Sequence, residues 1–251
     1  MWTLDSTGQL WKRLSLESDY QADSDEDFDL DSDNDNPRGI MWDGSYLRVA
    51  DLSDSKVYTY DLDGTHQSGE DFSLTSANNA NRGLTWDGEY FRVVDVTDFK
   101  VYTYDADGAY QSSEDFDLDS NQSTVKGIIW DGEYFRVVDS HRDKVYTYDA
   151  DGAYQSSEDF DLDTANDDAA GITWDGLYYR VADLTDRKVY AYDAQGTYQP
   201  GENFDLVLNN GNAVGIAWDG ERFRVNDSQD DKVYAYAVSY THLTLPTIYS
   251  V

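Results

Sequence analysis

Five arginines recur at one spacing in an otherwise acidic chain: Arg48, Arg92, Arg136, Arg180 and Arg224. A guanidinium offers a planar fork of donors. A repeated arginine therefore either locks onto a carboxylate and an aromatic face inside the fold, or joins a ring that captures an anion. The first reading is preferred, with a carboxylate of a neighbouring turn such as Asp87 or Asp131, or a Trp, as partner. Asp51, Asp95, Asp139, Asp183 and Asp227 keep the same period, and each precedes a short loop. Aspartate accepts backbone N–H groups and fixes such loops; Ca²⁺ coordination is the alternative. The run Asp29-Leu30-Asp31-Ser32-Asp33-Asn34-Asp35 alternates acids as a calcium loop does. A loop of that kind starting at Asp31 needs Gly sixth and Glu twelfth, where Asn36 and Trp42 stand, so a solvated acidic loop is expected. Asp-x-Asp-Gly at 61–64, 105–108 and 149–152 reads as turn chemistry. The tyrosine pairs Tyr58/Tyr60, Tyr102/Tyr104, Tyr146/Tyr148, Tyr190/Tyr192 and Tyr234/Tyr236 put both rings on one strand face. Packing between repeated units is preferred for them over a carbohydrate-stacking surface. His66, His141 and His242 fall at unrelated repeat positions and cannot form a repeat-based metal site. No nucleophile stands beside a matching base, so no catalytic, cofactor-binding or metal-binding residue is assigned.

The elements that must position these groups follow from a repeat. Gly39, Gly83, Gly127, Gly171 and Gly215 are 44 residues apart, as are Trp42, Trp86, Trp130, Trp174 and Trp218. Phe28, Phe72, Phe116, Phe160 and Phe204 carry the period into the N-terminal segment. Within 127–170, strand a is Gly127–Trp130, closed by the hairpin signal Asp131-Gly132. Strand b is Tyr134–Asp139, strand c Lys144–Tyr148 and strand d Glu158–Leu162. About four strands in 40–50 residues is a propeller blade rather than a solenoid rung. The acidic face of strand d suits the outermost edge, where like charges discourage pairing with other chains.

The units are 1–38 (partial), 39–82, 83–126, 127–170, 171–214 and 215–238 (partial), and together they make one all-β domain. Met1–Ser6 aligns with a strand b, Leu10-Trp11 with a strand c, and Asp27–Leu30 with a strand d. The last unit carries strands a, b and c, ending at Lys232–Ala237. Three, sixteen and three strands make 22, and six four-stranded antiparallel blades are the expected count. Residues 239–251 contain no Asp or Glu although the chain holds 51. The stretch 238–247 reads as translated sequencing-library adapter, which would make the chain a fragment from an environmental assembly with a non-native tail.

The chain has 251 residues, 42 Asp, 9 Glu and a net charge of −33. That excess argues against nucleic acid and anionic membranes as partners. No apolar run reaches about 18 residues, so no transmembrane helix is expected, and the acidic start is unlike a signal peptide. There is no cysteine to form disulfides. With 21 Tyr, 9 Phe and 7 Trp the chain is too aromatic for an acidic disordered segment. Dense surface Asp suits high salt, so a halophilic or marine source is expected.

The units resemble tandem repeats of bacterial surface and secreted proteins, and more distantly the NHL class of propellers. Those repeats read Gly-Ile-Trp-Ser-Asp-Gly, Met-Trp-Val-Ala-Asp, Lys-Ile-Tyr-Ala-Tyr and Asp-Phe. The matches are Gly39, Ile40, Asp43 and Gly44; Val49, Ala50 and Asp51; Lys56, Val57, Tyr58 and Tyr60; Asp71 and Phe72. One departure is the strand-b arginine where the family carries Trp; Trp2 alone keeps the aromatic. The resemblance implies a non-enzymatic extracellular or cell-surface binding or scaffold module. It would be a monomeric part of a larger protein, with a protein, peptide or glycan as ligand and no cofactor. A metal-dependent lactonase- or lyase-type propeller enzyme is the first alternative. It needs Glu, Asn, Asp or His at the inner strand, where Met41, Thr85, Ile129, Thr173 and Ala217 stand instead. A Ca²⁺-stabilised structural spacer is the second.

Overall fold

The computed structural model describes residues 2–4, 10–12 and 19–239. It is an all-β propeller of five four-stranded antiparallel blades around one axis. Blade 1 comprises strands Pro37–Trp42 (a), Leu47–Asp51 (b), Lys56–Tyr60 (c) and Phe72–Ser73 (d). Blade 2 comprises Asn81–Trp86, Phe91–Asp95, Lys100–Tyr104 and Phe116–Asp117. Blade 3 comprises Val125–Trp130, Phe135–Asp139, Lys144–Tyr148 and Phe160–Asp161. Blade 4 comprises Ala169–Trp174, Tyr178–Asp183, Lys188–Asp193 and Phe204–Asp205. Blade 5 takes Ala213–Trp218, Arg222–Asp227 and Lys232–Ser239 from one end of the chain and its strand d, Phe28–Asp29, from the other.

The count is five blades, not six. Lys232 and Val233 face Asp29 and Phe28 in the register that Lys144 and Val145 keep with Asp161 and Phe160. The two partial units thus merge into one blade instead of contributing to two. The strands left over, Trp2–Leu4 and Leu10–Lys12, pair with each other. A further strand, Asp19–Ala22, adds to the far end of strand c in blade 5 through Tyr236–Ser239. The adapter-like run lies outside the described residues from 240 onward; Val238 and Ser239 belong to the blade-5 strand.

Glycine at the axis explains why five units close. A Cβ on Gly83 would sit 2.6 Å from Ile128 N and 2.8 Å from Gly127 Cα, and one on Gly215 would sit 2.9 Å from Arg38 O and Ile40 N. Inner strands therefore approach backbone to backbone all round the ring, an approach that any side chain would block. Outside that layer, each boundary is filled by a core drawn from two blades. Met41, Ala50, Val57, Phe72 and Leu74 of blade 1 meet Leu84, Phe91, Val93, Tyr102 and Tyr104 of blade 2. Each fully buried large side chain contributes about 1.5–3 kcal/mol. Both tyrosines of each pair lie in these cores, so packing accounts for them.

Strand d is shorter than expected. Glu158 is outside it because its carbonyl accepts from Arg136 Nη1 and Thr147 Oγ1 instead of a ladder N–H. The exposed acids Asp29, Asp117 and Asp205 mark this outer strand, each facing a strand-c lysine at 3.2–3.4 Å.

Candidate functional site

Every a–b pair carries a register shift next to the axial glycine: Pro37 faces Asp51 but Ile40 faces Val49, and Val125 faces Asp139 but Ile128 faces Val137. Such a bulge re-aims the side chain beside it. Here it re-aims the residue preceding each glycine, which is Arg38, Arg82, Lys126, Ala170 and Val214 in turn. All five line one mouth of the axial channel, with Leu184 and Asn212 completing a cavity of about 130 Å³. The channel is pinched behind it, where the glycines and Ile40, Leu84, Ile128, Ile172 and Ile216 leave only about 10 Å³.

Three cations sharing one cavity are costly. Burial lowers the ionisation of the Lys126 ammonium; Asp168 opposes the shift, and Arg82 and Arg38 add to it. Burial likewise lowers Arg82, with Arg38 adding and Asp95 opposing, and lowers Arg38 against Asp51. Arg38 Nε and Arg82 Nη1 are buried and donate to no acceptor among the described residues. A buried donor without an acceptor costs about 1–3 kcal/mol. The arrangement therefore suits an incoming anion better than an empty mouth.

The other mouth, about 160 Å³, is bordered by Trp42, Trp86, Trp130, Trp174 and Trp218 with Met41, Thr85, Ile129, Thr173 and Ala217. Its threonines are structural ties, because Trp130 N donates to Thr85 Oγ1 at 3.0 Å and Trp218 N to Thr173 Oγ1 at 3.1 Å. Trp86, Trp130 and Trp218 pack at 4.6 Å on Phe91, Phe135 and Phe223, and Trp174 at 4.5 Å on Tyr179.

The strand-b arginines lie between blades, away from this cavity. Arg136 Nε donates to Asp131 Oδ2 at 2.8 Å, and its Nη1 to Thr147 Oγ1 at 2.8 Å and the Glu158 carbonyl at 2.7 Å. Arg48, Arg92, Arg180 and Arg224 pair in the same way with Asp43, Asp87, Asp175 and Asp219. Each carboxylate belongs to the arginine's own a–b turn rather than to a neighbouring one. The stacking partners are not Trp: Arg136 lies over Tyr134 of its own blade and Tyr179 of the next.

The strand-b aspartates clamp loops. Asp95 accepts from Ala80 N, Thr97 N and Asp98 N at 2.8–3.0 Å, and Asp51, Asp139, Asp183 and Asp227 make equivalent sets. Asp31 Oδ1 accepts from Asp33 N in the N-terminal acidic run. The Asp-x-Asp-Gly segments are turns, with Gly64 at φ +84° over Phe28 and Gly152 at φ +78° over Phe116. His66 sits between Asp71 Oδ2 at 2.9 Å and Asp31 Oδ2 at 3.3 Å. Among the described residues no three of His, Cys, Asp and Glu gather where a metal ion could be held.

Arg38, Arg82 and Lys126 were not singled out from sequence as a site. The signal that finds them is asymmetry: the position before the repeated glycine is cationic in three consecutive units and apolar in the next two.

No family model and no curated protein matches the chain. Several solved structures share the architecture. A Myxococcus xanthus glutaminyl cyclase superposes with a TM-score of 0.64 at 10% identity, over 86% of this chain and 95% of that one. Virginiamycin B lyase of Staphylococcus aureus gives 0.55 at 11% identity, over 88% and 100%. A chain of a nidogen/laminin complex gives 0.52 at 14%, over 76% and 72%. At such identities the likeness establishes the propeller fold, which enzymes and binding proteins share.

Proposed function

We propose that this propeller is a non-enzymatic binding module that takes an anionic group of its ligand at the axial mouth formed by Arg38, Arg82 and Lys126. One observation carries the reading. In a chain of net charge −33 with 18 basic residues, three of those residues share a single cavity, and two of them, Arg38 and Arg82, keep buried donors unmatched. A guanidinium pair holds a carboxylate, sulfate or phosphate through parallel charged hydrogen bonds. Ala170, Leu184 and Val214 supply an apolar wall on the other side of the same cavity. The ligand is thus an organic anion, such as the acidic group of a peptide or glycan, with its carbon body against that wall.

The binding reading is preferred to an enzymatic one because the seven lining residues include no His, Asp, Glu, Ser, Thr or Cys to move a proton or attack a substrate. The resemblance of the repeats supports a place outside the cell within a larger surface protein. Nothing in the proposal requires a metal cofactor.

The test is calorimetric titration of the intact chain with citrate, sulfate and phosphate at low ionic strength, beside an Arg38→Gln/Arg82→Gln variant. One anion should bind per chain, and the variant should weaken it at least about 10-fold, the scale of losing one charge-assisted contact pair. Equal binding by both proteins, or no binding by the wild type at millimolar anion, would refute the proposal.

A further inference from the structure

A second site is signalled by the chain's own Tyr20 and does not depend on the axial mouth. Two blade boundaries carry an outer groove beside the strand-b arginine. At the blade 4–5 boundary the groove is lined by Tyr178, Arg180, Trp218 and Phe223, and Tyr20 of the Asp19–Ala22 strand occupies it. The Tyr20 ring stacks on Phe204 at 4.6 Å, lies 5.8 Å from Phe223 and faces the Arg180 guanidinium at 4.9 Å. Its hydroxyl accepts a hydrogen bond from Arg180 Nη2. About 130 Å³ of the groove stays open.

Two repeats earlier, at the blade 2–3 boundary, the same positions hold Tyr90, Arg92, Trp130 and Phe135. Gly152 lies over Phe116 there, as Tyr20 lies over Phe204, and supplies no side chain to the groove. The open volume is about 280 Å³. Arg92 Nε and Nη1 are engaged by Asp87, Thr103 and the Glu114 carbonyl. Its Nη2, the atom that at Arg180 reaches Tyr20, donates to nothing among the described residues.

We infer that the Arg92 groove takes the tyrosine side chain of a partner peptide, the ring against Phe135 and the hydroxyl on Arg92 Nη2. The rim selects its flanks. Where the chain's own tyrosine docks, Leu177 stands; at the Arg92 groove the corresponding residue is Glu89, with Asp151 beside it. The peptide therefore carries lysine or arginine next to its tyrosine.

The probes are the capped peptides Lys-Gln-Tyr-Gln-Lys, Lys-Gln-Phe-Gln-Lys and Lys-Gln-Ala-Gln-Lys, titrated calorimetrically onto the whole chain in 0.1 M NaCl. The tyrosine peptide should bind at least 10-fold tighter than the alanine peptide, with phenylalanine between them. Ala150→Trp, at an exposed position lining the groove, should abolish that discrimination without changing the melting temperature. Arg38→Gln/Arg82→Gln should leave it intact, which separates this site from the axial one. Equal binding of the tyrosine and alanine peptides, or discrimination that survives Ala150→Trp, would overturn the assignment.

Discussion

Raising the pH from 10 to 12 should unfold this propeller in one cooperative step. Tyr60, Tyr104, Tyr192 and Tyr236 are 0–1% exposed, and burial pushes each phenol up to about 12. The opposing influences are a donated N–H from the loop leading into the blade and an Asn side chain, as from Thr75 N and Asn78 Nδ2 to Tyr104. Tyr148 is raised further by burial. The folded state thus holds protons that the unfolded chain releases near pH 10. Their contribution to stability is whole below pH 10 and is lost as pH climbs toward the folded value. Each such tyrosine forfeits roughly 1.4 kcal/mol per pH unit in that window. Four of them forfeit about 5.6 kcal/mol per unit, against a total of about 5–15 for an ordinary domain. Absorbance at 295 nm and far-ultraviolet circular dichroism should therefore change together between pH 10 and 12. A sheet signal that persists after all 21 tyrosines have ionised would contradict the burial account.

Sodium chloride should raise the melting temperature between dilute buffer and 1 M, by enough to be plain in a single scan. Two electrostatic effects compete. Lysines of strand c meet acids at 2.8–4.0 Å, pairs that salt weakens. Against them stand 51 acids to 18 bases, most of the excess on loops. Screening shortens from about 10 Å at 0.1 M to about 3 Å at 1 M. Direct pairs lie near that lower limit and survive in part, whereas repulsion between loops is removed. The arginine–aspartate pairs are buried and little affected: Arg224 and Asp219 side chains are 1% and 2% exposed. Repulsion is the larger quantity, so stability rises. A melting temperature that stays flat or falls would mean that attractive pairs dominate.

Much of this fold was legible because its punctuation is chemical. Asp131-Gly132 and its counterparts are hairpin turns, with Gly132 at φ +103°, and the glycines spaced by 44 mark the axis. The blade number was not, since it depends on which partial unit completes the other. Asp29 and Phe28 offer Lys232 and Val233 the same pairing that every internal strand d offers its own strand c. Counting strands cannot see that preference; register can. The arginine site was half legible. Salt-bridge chemistry was foreseen, but the partner lies in the same turn because strands a and b bring Asp131 and Arg136 side by side. The axial cations escaped notice because a bulge, and not strict alternation, directs Arg38, Arg82 and Lys126 to the axis. A position that is cationic in only three of the five units also stands outside the fivefold regularity that marks the other elements.

The axial mouth joins Arg38 of blade 1 to Asn212 and Val214 of blade 5, so it exists only if the N-terminal strand closes the ring. The most direct measurement uses the absence of cysteine in the native chain. Asp29→Cys with Lys232→Cys places two thiols on facing positions of adjacent strands, the first exposed and the second half-buried. Mild oxidation followed by mass spectrometry of a tryptic digest should find the two joined within one monomer. The bond closes a loop spanning 203 residues and should add up to about 5 kcal/mol to the unfolding free energy. Free thiols, or links only between chains, would contradict the five-bladed closure and with it the site on the axis.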